Sequence, residues 1–176
     1  MSVGPISQVA AAVLTRQGTF TNSKLGAGTL SEQVTKSGAT RTVDRTLTYA
    51  NGKVADIHNT ITRNADGSTT IDSTRTLANG KTVTRDVTLG AAAADGTRTI
   101  TGKLTTAAGV AETISGLKTK TANGYAVSQT ITGPQNATST VSDVTTNTGA
   151  GTTDTFTATD SSGKTISQTN TLNLLV

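Results

Sequence analysis

The sequence predicts an all-β fold, an antiparallel meander of about a dozen strands built from hairpins that repeat about every 28 residues. Three observations predict it. About 40 of the 176 residues are threonine, a β-branched strand former. Glycine, preceded by Asn or Asp, punctuates the chain at regular intervals. Between these marks apolar residues alternate with threonine.

The turns come first. Asn51-Gly52, Asp66-Gly67, Asn79-Gly80, Asp95-Gly96 and Asn123-Gly124 offer residues that accept positive φ at both centres of a type I′ turn, the strongest short hairpin signal. Weaker turn signals lie at Asn22-Ser23, Ser37-Gly38, Ala108-Gly109, Gly133-Pro134, residues 149–151 and Ser162-Gly163. Successive turns fall about 12 to 16 residues apart, which leaves strands of about 8 to 11 residues. Residues 42–53 overlay residues 70–81, from Thr42-Val43-Asp44 against Thr70-Ile71-Asp72 to Ala50-Asn51-Gly52-Lys53 against Ala78-Asn79-Gly80-Lys81. This is an internal repeat of one hairpin.

The strands follow from the side-chain period of two. Val83, Val87 and Leu89 share a face with Arg85, opposite Thr82, Thr84, Asp86 and Thr88. Ile71 and Leu77 share one with Ser73 and Arg75, and Ile100 and Leu104 alternate with Thr99, Thr101 and Lys103. One face is apolar at every other position and the second is a carpet of threonine. Leu, Ile, Val and Phe make up only about a fifth of the chain, so the core is thin. This pattern leaves open whether the meander is a single layer, a sandwich or a barrel. An open meander would also leave two unpaired edges that association could cover.

Two segments break the rhythm and divide the chain into residues 1–20, an arm or short amphipathic helix, and residues 21–176, the threonine-rich hairpin domain. Ile6, Val9, Ala10, Val13 and Leu14 fall at helical spacing over 5–15, with Pro5 suited to a first helical position. The last residues, with Leu172, Leu174, Leu175 and Val176, are the most apolar of the chain. They suit either a final core strand or strand addition to a neighbour. Ile6, Val9, Val13, Leu14, Leu172, Leu174, Leu175 and Val176 are therefore the candidate assembly contacts.

The sequence lacks the apparatus of catalysis. His58 is the single histidine and reads as an ordinary strand residue, without the partners of a zinc site or a nucleophile elbow. The acids are spread about one per strand or turn, and Asp44 and Asp72 recur at the repeat period, which suggests a structural ladder or an arginine partner. The turn at residues 64–68 has oxygen ligands at loop spacing but lacks the bidentate acid of a calcium loop. No phosphate-cradling loop or dinucleotide fingerprint is present, and no cofactor or metal is expected. The net charge of +4 is spread without a run of like charges, and two Tyr, two Phe and no Trp give few stacking platforms. Nucleic acid is thus not an expected partner. No apolar run approaches a membrane span, and aromatic girdles are missing. There is no cysteine, and no secretory leader is visible at the start of the sequence.

A low-aromatic β-repeat rich in Thr, Gly, Ala and Asn resembles bacterial extracellular fibre and biofilm-matrix proteins in composition. The resemblance implies a structural, self-assembling, non-enzymatic subunit outside the cell or on its surface. Its partners would be further copies of itself and an extracellular polysaccharide. A virion or tail-fibre component, and a carbohydrate- or ice-binding module, are the alternative readings.

Overall fold

The computed structural model describes residues 11–174, and in it the meander closes on itself. The strands are β1 (Ala12–Asn22), β2 (Gly26–Ser37), β3 (Thr40–Tyr49), β4 (Val54–Arg63), β5 (Thr69–Thr76) and β6 (Thr82–Leu89), continuing with β7 (Arg98–Thr105), β8 (Ala111–Thr121), β9 (Gly124–Thr132), β10 (Thr138–Thr148), β11 (Gly151–Thr159) and β12 (Thr165–Leu174). Each pairs antiparallel with the next. β12 then pairs with β1, from Arg16 opposite Leu174 to Asn22 opposite Gln168, and closes the barrel. The two open edges expected of a meander are therefore covered within the chain, since closure removes the edges themselves.

The helix expected over 5–15 is strand from Ala12 onward, where residues 12–22 pair in unbroken register with β2. The apolar spacing there fits a period of two as well as one of 3.6, and pairing decides between them. Residues 1–10 lie outside the described residues. The helical element within the described residues is the short 3-10 turn Pro134–Asn136 between β9 and β10.

Turns open alternately at the two ends. The upper rim carries the turns that follow odd-numbered strands, and the lower rim those that follow even-numbered ones. Their geometry differs from the type I′ expected. At residues 49–53, the Gly52 N–H donates to the Tyr49 carbonyl (2.9 Å) and the Tyr49 N–H to the Lys53 carbonyl (2.9 Å). Only the glycine has positive φ (78°), so this is a type I turn closed by a left-handed glycine, the three-residue hairpin loop. Residues 64–68, 77–81, 93–97, 106–110 and 160–164 repeat the same pair of bonds. The Asn or Asp before the glycine is spared positive φ, and its side chain instead accepts the N–H two residues on, as Asp66 does from Ser68 (2.9 Å). At Asn123-Gly124 the register moves the turn back one position. Gly124 pairs with Thr121 inside the sheet, leaving Ala122 and Asn123 as the loop.

Alternation sorts every strand into an inward and an outward set. Outward, the cross-strand partners form a near-continuous rank of hydroxyls. It runs Ser37, Thr40, Thr62, Thr70, Thr88, Thr101, Ser115, Thr130, Thr140, Thr159, Thr165, one residue per strand from β2 to β12. The rank starts at the lower rim and ends at the upper one, as strand tilt in a closed barrel requires. Adjacent hydroxyls bond at its ends, Thr159 with Thr165 at 2.9 Å and Thr40 with Thr62 at 3.5 Å.

Inward, the few apolar side chains gather in two clusters. Phe20, Leu30, Leu47, Tyr49, Ala55 and Leu172 form one, with Phe20 edge-on to Tyr49 at 5.0 Å. Val87, Leu89, Ile100 and Ile114 form the other, flanked by Ile71, Leu104, Val127 and Ile131. Glycines let the wall approach itself. A Cβ on Gly28 would lie 2.6 Å from the Phe20 ring and overlap the Thr48 carbonyl oxygen, and one on Gly102 would overlap the Asp86 carbonyl oxygen. Gly28→Ala and Gly102→Ala should each lose about 1–3 kcal/mol of stability in urea unfolding. Gly149→Ala, whose new methyl would meet nothing within 4 Å, should leave the midpoint unchanged.

Candidate functional site

Because apolar residues are scarce, ionisable side chains occupy inward positions beside the two clusters. Glu32 is 1% exposed, between Leu30 and Val34 on the inward face of β2. It stands opposite Arg16 on β1 and Arg45 on β3. Arg16 Nε donates to Glu32 Oε1 at 2.8 Å, with Arg16 Nη2 on the same oxygen, and Arg45 Nε donates to Oε2 at 2.5 Å. One buried carboxylate thus holds two guanidinium groups and ties three strands together. Across the barrel, Arg85 Nη2 donates to Gln129 Oε1 at 3.0 Å. Burial lowers the Arg85 pKa from its ordinary value.

A second polar group lies on β8 to β12. Asp154 Oδ1 accepts from Thr145 Oγ1 at 2.8 Å and Oδ2 from Asn170 Nδ2 at 3.2 Å. Asp143, diagonal to it on the neighbouring strand, has a buried Oδ1 that meets no donor. Burial first, and then the carboxyl of Asp154, push the Asp143 pKa up to about 7. The Lys118 ammonium sits 3.5 Å from the centre of the Tyr125 ring, and burial lowers its pKa and raises that of Tyr125. Chemically, the Asp143–Asp154 pair can store a proton. The void between Leu30, Arg45, Leu47, Ile57, Gln168 and Asn170 is about 10 Å³, at the lower limit for a water molecule.

His58 lies on the outer wall. Its Nδ1 is 2.5 Å from Asp44 Oδ1 and its Nε2 3.5 Å from Thr60 Oγ1. Both partners in the closer contact are about half exposed, so the group has the order of a catalytic relay but no enclosure. Asp72 faces Asp86 rather than an arginine. Among the described residues, no group of three or more His, Cys, Asp or Glu could hold a metal ion, and no helix is long and apolar enough to cross a membrane.

The candidate assembly contacts divide. Val13 and Leu14, at the start of β1, are 58% and 43% exposed, whereas Leu172 packs in the first core cluster at 2%. Leu174 ends β12 opposite Arg16. Ile6, Val9, Leu175 and Val176 lie outside the described residues. Sequence reading missed Glu32, Asp143 and Asp154. Their signal was parity, since Glu32 alternates with Leu30 and Val34 as an inward residue must. No protein-family model, curated protein or solved structure matches the chain.

Two outcomes follow. Glu32→Gln leaves two part-buried arginines without their carboxylate and should cost about 2–4 kcal/mol, read by denaturant unfolding. Asp143 binds its proton more tightly folded than unfolded, because its pKa is raised from 3.8 to about 7. Between these values the native state holds the extra proton, so this contribution to stability should fall as pH rises from about 4 to about 7. Asp143→Asn should flatten that slope in a pH series of melting temperatures.

Proposed function

We propose that the protein is a structural, self-assembling subunit of an extracellular filament, surface fibre or biofilm matrix, acting through its surface and not through a pocket. The observation that carries this reading is the closed wall, with an interior packed by its own side chains and an outward face laid out as ranks of hydroxyls. A wall of this kind is hydrated and regular. Ice-binding is less well supported, because the rank climbs around a closed wall and does not lie in one plane.

Closure changes how copies would join. Strand addition at a meander edge is replaced by contact between rims or walls. Val13 and Leu14, exposed at the lower end of β1, are the apolar residues best placed to start such a contact. Negative-stain electron microscopy and light scattering at rising concentration test the reading. Filaments or bundles are the expected outcome, thinned by Val13→Asp with Leu14→Asp. A monodisperse 17.7 kDa monomer at every concentration would overturn it.

A further inference from the structure

Four of the 15 Lys and Arg residues, scattered along the chain, are gathered by the topology on one rim. Lys164, Lys24, Lys53 and Lys81 sit on four successive turns of the upper rim, those joining β11–β12, β1–β2, β3–β4 and β5–β6. Turns on one rim recur every second strand, about 10 Å apart. All four lysines are exposed. The backbone N–H of each donates to an Asx side chain of its own turn, two residues back for Lys24, Lys53 and Lys81 and four back for Lys164. Lys24 donates to Asn22 (2.9 Å), Lys53 to Asn51 (3.1 Å), Lys81 to Asn79 (3.1 Å) and Lys164 to Asp160 (3.0 Å).

The same turn on the lower rim carries a different residue. There Ser68 donates to Asp66 and Thr97 to Asp95, a hydroxyl in place of the lysine, and the exposed cations of that end, Lys36, Arg41, Arg63 and Lys120, stand on strand ends and not on turns. Two acids stand within the arc, Asp160 on the β11–β12 turn and exposed Asp56 three residues after Lys53, and the four lysines outnumber them. The Asp160 carboxylate accepts from the Ser162 and Lys164 N–H groups and the Ser162 hydroxyl. Glu112 lies inward beneath Gly133, away from the four turns.

The arc ends at a groove of about 360 Å³ on the same rim. The groove exists because β6 and β7 pair only from Thr84 opposite Thr105, so their tips splay apart. Lys81, Thr82, Thr84, Thr105 and Thr106 line it, one ammonium among hydroxyls.

We propose that the upper rim binds an anionic polysaccharide. The lysines would meet its carboxylate, sulfate or phosphate groups, and the groove would meet sugar hydroxyls. Lysine recognises such groups as a mobile point charge, suited to a polymer of variable geometry. Nucleic acid fits less well, because no aromatic platform accompanies the arc. Phe20 and Tyr49 are buried, and Phe156 and Tyr125 are inward and half-buried.

This deepens the matrix reading, since such a subunit must hold the polymer around it. The two fail separately: binding is measured on dilute protein, assembly on concentrated protein without polymer. The test compares polygalacturonate, neutral dextran and duplex DNA by biolayer interferometry in about 50 mM salt. Polygalacturonate should bind and weaken steeply as salt rises, as screened attraction must. Lys24→Gln, Lys53→Gln, Lys81→Gln and Lys164→Gln combined should weaken it at least tenfold, with an unchanged circular dichroism spectrum. The charge-matched lower-rim variant, Lys36→Gln, Arg41→Gln, Arg63→Gln and Lys120→Gln, should change it less than threefold. Absence of polygalacturonate binding, equal loss in the two variants, or DNA binding as tight as the glycan would each overturn the proposal.

Discussion

The pairing of β12 with β1 is the constraint from which the rest follows. Once the sheet closes, each strand must give alternate residues to an enclosed interior, and a chain so poor in Leu, Ile, Val and Phe cannot fill that interior with apolar groups alone. Charge goes inside as a result. A buried charge persists only with a partner, and Glu32 between Arg16 and Arg45 meets that demand in full. Asp143, whose Oδ1 meets no donor, has its pKa pushed up to about 7 by burial and by Asp154.

Closure also explains the glycines within strands. A sheet of twelve strands must curve continuously, and Gly28 and Gly102 lie where a neighbouring backbone or an aromatic ring occupies the space of a side chain. The two apolar clusters sit on opposite arcs of the wall, with the Glu32 group on the strands of the first, the Arg85–Gln129 pair on those of the second, and the Asp154 group on β10 to β12. The core is thin, as the composition requires, because it is divided.

Much of the fold was legible from the sequence. The glycine marks gave the strand number and the hairpin order, and the alternation at Val83, Arg85, Val87 and Leu89 gave the correct faces. Closure was not legible, because it depends on the register summed over all twelve strands and no local pattern records it. The turn type was misjudged for a related reason. Asn-Gly suits two loop lengths, and the choice rests on how Tyr49 meets Lys53 across the hairpin. The interior acids were hidden by a habit of reading charge as solvated, although Glu32 stands at a position whose parity puts it inside. The lysine arc was invisible along the chain because alternate turns are far apart in sequence and adjacent in space.

The turns carry a consequence for the lifetime of the molecule. Asn-Gly is a weak point in ageing proteins, since the glycine nitrogen can attack the asparagine amide and release ammonia. Here the Gly52 and Gly80 nitrogens are occupied as donors to Tyr49 and Leu77, while Lys53 and Lys81 hold the asparagine oxygens. Cyclisation would have to break both bonds first. The same hydrogen bonds that shape each loop also shield it from chemical decay.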